Sequence, residues 1–187
     1  MELLTCEKCH TPTKYILTGY RPEMECWTKC FISVFACHNE TCNIWTHLIP
    51  LVISVGLFGY ELQELFCVGL GGLGVVVYCG CMMTAFLTST LYHICCCKNA
   101  LVSQLFLKVD FPGILILLWG SNFPMVWYGF RNDFLRNMYL GVGTVLVVGV
   151  WLAVLLPNIP CEIAVDVVYL FGFVWMDTSH SRILFAR

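Results

Sequence analysis

A serine and a histidine four residues apart, Ser89-Thr90-Leu91-Tyr92-His93, are followed by a carboxylate in Asp110-Phe111-Pro112-Gly113-Ile114, all within otherwise apolar sequence. A hydroxyl, an imidazole and a carboxylate are the groups of acid–base and metal chemistry. Ionisable side chains in stretches that read as membrane helices are costly to keep, which makes them candidates for function. Ser89 and His93 fall on one helix face by their spacing. Asp110 is expected to open the next helix at the same membrane boundary. A helical hairpin would then bring all three together, whichever way it crosses the membrane. The alternative, open at this point, is that His93 and Asp110 are ordinary helix-end residues near lipid headgroups.

The elements that must position them are membrane spans. The chain is 59% hydrophobic and 12% charged, against about 25% charged in soluble domains. Its mean hydropathy is +0.79. A net charge of -2 and the lack of a basic cluster point away from nucleic acid. A span needs about 20 mostly apolar residues, and charged residues bracket five candidates: 45–60, the uncharged run between 64 and 98, 110–128, 136–157, and a short one at 163–176 that carries Asp166. Gly71, Gly72 and Gly74 near the start of the second are expected to let helices approach closely. Ahead of the spans, residues 26–37 read as an amphipathic helix with Trp27, Phe31, Val34 and Phe35 on one stripe. That stripe suits either the membrane interface or the underside of the bundle. The partition expected is thus 1–43 as an N-terminal segment, 44–176 as an all-α, polytopic helix bundle, and 177–187 as a polar tail.

Lys8, Lys14, Arg21 and Lys29 precede the first span and the loop after it has no Lys or Arg, which predicts a cytosolic N-terminus. Arg131 and Arg136 would then face outward. The sequon Asn39-Glu40-Thr41 would stay unmodified on the cytosolic side. The first forty residues lack an apolar core of signal-peptide type. Of thirteen cysteines, several lie inside apolar runs, where Cys acts as a small hydrophobe. Cys6-Glu7-Lys8-Cys9-His10 is half of a zinc knuckle with no second pair. The Cys95-Cys96-Cys97 run is either a palmitoylation site or a plain cluster of interfacial thiols.

Four motifs occur in order: Ile16-Leu17-Thr18-Gly19-Tyr20-Arg21-Pro22, then His38-Asn39-Glu40-Thr41-Cys42-Asn43-Ile44-Trp45-Thr46-His47, then Ser89-x-x-x-His93, then Asp110-x-x-Gly113-Ile114. Over residues 15–130 this series resembles the progestin and adipoQ receptor family, which includes the adiponectin receptors and is related to the hemolysin III proteins. The resemblance implies seven spans, a cytosolic N-terminus and a zinc ion near the inner leaflet. It makes His93 one of three zinc ligands, sets Asp110 to act through a zinc-bound water and puts Ser89 beside the site. Zinc held by three imidazoles keeps one position for water and lowers its pKa toward neutrality. Asn39, Glu40, Asn43 and His47 belong to the second motif, where a structural role in fixing the N-terminal segment is expected. His10 and His38 have no partner at metal spacing.

The resemblance also implies two ligands from an H-x-x-x-H pair on the seventh span, and the sequence holds no such pair. Only His180 follows Asp110, in a polar run at 176–182. The expectation is a shortened form, with about five of seven spans and zinc bound weakly or not at all unless another subunit supplies ligands. A fragment, an isoform with a divergent tail beyond Trp175, or a gene model ended at an intron would each give this pattern. The function expected is that of a receptor-like membrane protein for a lipid, steroid or adipokine. The alternatives are a zinc-dependent lipid amide hydrolase in the full-length form, or a non-catalytic form acting in a homo- or hetero-oligomer with full-length partners.

Overall fold

Lipid offers no hydrogen bonds, so a chain this apolar must satisfy its backbone within helices. A computed structural model describes residues 18–155, and all the regular structure in that range is helical. A short helix α1 (Trp27–Ile32) runs into a 3-10 turn (Ser33–Phe35). Four long helices follow: α2 (Thr41–Val68), α3 (Leu73–Cys95), α4 (Ala100–Gly129) and α5 (Asp133–Leu155). Each of the four is long and apolar enough to cross a membrane. The candidate span at 163–176, the polar tail and the Cys6–Cys9 pair lie outside the described residues.

Two helices extend well past the apolar runs that mark them in sequence. α2 has 28 residues and α4 has 30, hence about 42 and 45 Å at 1.5 Å per residue, against a hydrocarbon core of about 30 Å. The acidic stretch at 61–64 therefore marks where α2 leaves the apolar layer, and the helix continues to a glycine with φ +81°, Gly69. The same effect corrects the placement of Asp110. It does not open a helix: α4 begins at Ala100, where the Asn99 side chain caps the first turn by accepting from the Val102 amide at 2.8 Å. Asp110 lies nearly three turns inside.

The core of the bundle is the α3–α4 pair, with α2 against α3 and α5 against α4. Glycines on α4 set the α3–α4 approach. A Cβ on Gly113 would press on Thr88 and Ala85, and one on Gly120 would overlap the Cβ and Sγ of Cys81. Of the three glycines singled out at the start of the second span, only Gly74 meets a neighbouring helix closely, at Tyr128 and Pro124. Small residues replace the absent hydrophobic drive between helices in lipid.

The stripe at 27–35 splits. Trp27, Phe31 and Phe35 are exposed, whereas Cys30, Ser33 and Val34 are buried: the inward face runs through Cys30 and Val34, four residues apart, along one edge of the stripe. Cys30 and Val34 join Ile44, Ile94, Cys95 and Cys97 in one apolar cluster beneath the bundle. Cys95, Cys96 and Cys97 are all within 1% of complete burial. Burial pushes the thiols of Cys96 and Cys97 up to about 12, away from the thiolate form.

A side chain added at the α3–α4 contact tests this packing. Gly120→Val is expected to lower stability by about 1–3 kcal/mol through overpacking, read as a fall in the thermal midpoint of the protein in detergent, while Gly141→Val, with open space around it, leaves the midpoint in place.

Candidate functional site

The site is built at the C-terminal end of α3, and a buried arginine holds that end in place. The last carbonyls of a helix have no helical partner and carry the negative pole of its dipole. The guanidinium of Arg21, only 4% exposed, donates to the carbonyls of His93 and Ile94, the latter at 3.2 Å. It also reaches Ser33 Oγ at 3.0 Å and Cys96 Sγ at 3.4 Å. The backbone follows: Met24 N donates to the Cys97 carbonyl at 2.8 Å, and Arg21 N to Asn39 Oδ1 at 3.1 Å. The segment before α2 is thereby tied to the end of α3.

That tie carries Glu40 to His93. Glu40 Oε2 lies 2.9 Å from His93 Nδ1, with both side chains largely buried. Two amides hold the carboxylate: Asn43 Nδ2 donates to Oε2 at 2.8 Å and Asn39 Nδ2 to Oε1 at 3.1 Å. His38 braces the same turn, its Nε2 2.9 Å from the Ser33 carbonyl and its Nδ1 accepting from Glu40 N. Burial and the nearby Arg21 charge lower the His38 pKa below its ordinary value, which suits this neutral, two-sided role.

One turn before His93, Ser89 is buried and its hydroxyl donates to Asp110 Oδ2 at a long 3.5 Å. The three residues picked from sequence therefore gather at one end of the α3–α4 pair, but in two groups. Ser89 and Asp110 line a small cavity of about 140 Å³, and His93 stands beside it. The link between them is His47. Its ring centroid is 5.3 Å from that of His93, its Nδ1 is 2.6 Å from the Asn43 carbonyl, and it joins Ser89 and Asp110 in the cavity wall. Ala85, Phe86, Ile114 and Leu117 make the rest of that wall apolar.

Glu40 and His47 are the two members that the sequence reading left outside the site. A signal was present: Glu40, Asn43 and His47 are spaced i, i+3 and i+7, one face of a helix. As for zinc, no three His, Cys, Asp or Glu side chains among the described residues come near enough to share a metal ion. The described donors by themselves do not fit a zinc site.

Four long apolar helices, with a polar cluster at one end of the α3–α4 pair, define a multi-pass α-helical membrane protein. A profile of haemolysin-III-related proteins matches residues 35–185, and the chain belongs to that family. The adiponectin receptor protein of Drosophila melanogaster is 31% identical over 152 residues, which are 73% of this chain and 33% of that protein. Progestin and adipoQ receptor-like protein 1 of Caenorhabditis elegans is 31% identical over 63% of this chain and 27% of its own length. The human membrane progestin receptor beta is 31% identical over 61% and 33%. The chain spans about a third of the length of these curated relatives.

Replacing Arg21 tests the tie. Hydrogen bonds to charged groups contribute about 1.5–3 kcal/mol each, so Arg21→Met is expected to cost at least one such increment and to lower the thermal midpoint. Arg21→Lys is expected to fall between the two, since one ammonium lacks the fork that reaches several acceptors. Tryptophan fluorescence during a thermal ramp reads both.

Proposed function

We propose that this chain is a receptor-like membrane protein that takes the polar end of a lipid or steroid into the cavity between α3 and α4. One observation carries this reading: His47, Ser89 and Asp110 converge on a cavity whose remaining wall is apolar. Ligand pockets usually measure about 300–1,000 Å³, and this one is about 140 Å³. It suits a headgroup, a hydroxyl or a carbonyl, with the apolar body of the ligand lying among the helices. The printed names of the relatives, adiponectin receptor and membrane progestin receptor, support a receptor role. In the proposed orientation the N-terminal segment is cytosolic. Arg21, Lys29 and Lys98 then share one end of the bundle, in line with the bias of cytosolic loops toward Lys and Arg.

Zinc enters this proposal only as an incomplete site. His93 offers one imidazole, and further donors would be needed to bind the ion firmly. When bound, zinc would supply a polarised water. Without it, the chain's own residues orient a polar ligand group: Ser89 as donor, Asp110 as acceptor. A second reading, hydrolysis of a lipid amide, draws on the same Ser89–Asp110 pair and on His93 one turn away. Ceramide hydrolysis that is lost in both His93→Ala and Asp110→Ala would support it.

The receptor reading is tested with the chain in nanodiscs and a diazirine-bearing steroid or ceramide. Labelling is expected at cavity residues such as Phe86 or Ile114 and should fall at least tenfold in Ala85→Trp, which fills the cavity. Labelling that ignores Ala85→Trp would contradict it. In the same preparation, zinc measured after dialysis is expected well below one ion per chain. A stoichiometric ion lost in His93→Ala would overturn the incomplete-site reading.

A further inference from the structure

We propose that Glu40 is a positioning residue for His93: its carboxylate holds the imidazole in the Nδ1–H tautomer and leaves the Nε2 lone pair free for the site. An imidazole has two nitrogens, and the partner of one decides which carries the proton. Ionised carboxylates only accept hydrogen bonds. Amide donors on both of its oxygens favour the ionised form of Glu40, and an ionised Oε2 at 2.9 Å from His93 Nδ1 places a proton on Nδ1. In a free side chain the Nε2–H tautomer is favoured, so the contact reverses the intrinsic preference.

The surroundings of Glu40 are arranged for this task. Asn43 and Asn39 each donate to one carboxylate oxygen, which fixes the plane of the group and leaves Oε2 directed at His93. Asn39 is itself fixed by the Arg21 amide. The Arg21 guanidinium holds the carbonyls of His93 and Ile94, so one residue, through its side chain and its backbone amide, ties the backbone of His93 to the turn that carries Glu40. His47 repeats the pattern: its Nδ1 is held by the Asn43 carbonyl at 2.6 Å. Two neighbouring imidazoles thus have Nδ1 engaged by an oxygen of the Glu40–Asn43 turn. A hydrogen-bond partner on one ring nitrogen is what sets the proton position on an imidazole and leaves the other nitrogen to act. The functional weight of this inference rests on the reading of His93 as a site residue.

The experiment is nitrogen NMR on the full chain labelled with 15N-histidine, in nanodiscs without substrate or added metal, at a pH where imidazoles are neutral. His93→Gln identifies the His93 signals by their disappearance. The expected spectrum has His93 Nδ1 in the protonated, pyrrole-like range and Nε2 in the bare, pyridine-like range. In Glu40→Ala the two assignments should exchange toward the Nε2–H form. In Glu40→Gln, whose amide oxygen can still accept the hydrogen bond from Nδ1–H, the wild-type tautomer should return. The unmodified protein decides on its own, whether or not Glu40→Ala folds: a dominant Nε2–H form there, or two equally protonated nitrogens, would overturn the proposal, as would a folded Glu40→Ala protein with an unchanged tautomer. Since no ligand is present, failure of ligand capture in the cavity would refute the receptor reading and leave this result standing.

Discussion

The arrangement depends on one contact, the pairing of the Glu40 carboxylate with the His93 imidazole at 2.9 Å between largely buried groups. Removing a carboxylate from water is expensive unless its oxygens are bonded. Here they are: the amides of Asn39 and Asn43 bond the same carboxylate, one on each oxygen. Asn39 just ahead of α2 and Asn43 in its first turn therefore take the place of water around one carboxylate. Truncating any member exposes the rest to the full desolvation penalty. This explains why so polar a turn sits directly beneath apolar helices.

The helices in turn serve that contact. Gly113 and Gly120 let α4 press against α3, which brings Asp110 within reach of Ser89. Arg21 caps the end of α3 and fixes where His93 stands. Beneath it, Cys30, Val34, Ile44, Ile94, Cys95 and Cys97 bury the apolar side of the N-terminal segment, so the tie is both polar and hydrophobic. The apolar part of the cavity wall, Ala85, Phe86, Ile114 and Leu117, takes no part in that polar network.

Membership of the bundle was legible in the amino-acid pattern for a physical reason: lipid forces long apolar helices, and their hydropathy shows through. The Ser89–His93 face was legible because residues four apart in a helix must share a side. Helix ends were less so, since helices overshoot the apolar layer, and Asp110 looked like a helix start when Asn99 was the cap. The partnerships of Arg21 and Glu40 were not legible. Each joins residues distant in sequence, 73 positions for Arg21 to Ile94 and 53 for Glu40 to His93, and no local spacing encodes them. Which residues belong to a site through its supporting shell is decided by tertiary packing.

The most direct test of the account is a double-mutant cycle between Glu40→Ala and His93→Gln, measured as unfolding stability of the full chain in lipid nanodiscs. Residues in direct contact within one hydrogen-bond network couple by about 0.5–3 kcal/mol. A coupling in that range, with each single variant destabilised, is the result predicted. Additive effects of the two substitutions would mean that the carboxylate and the imidazole do not depend on each other, and would contradict the account.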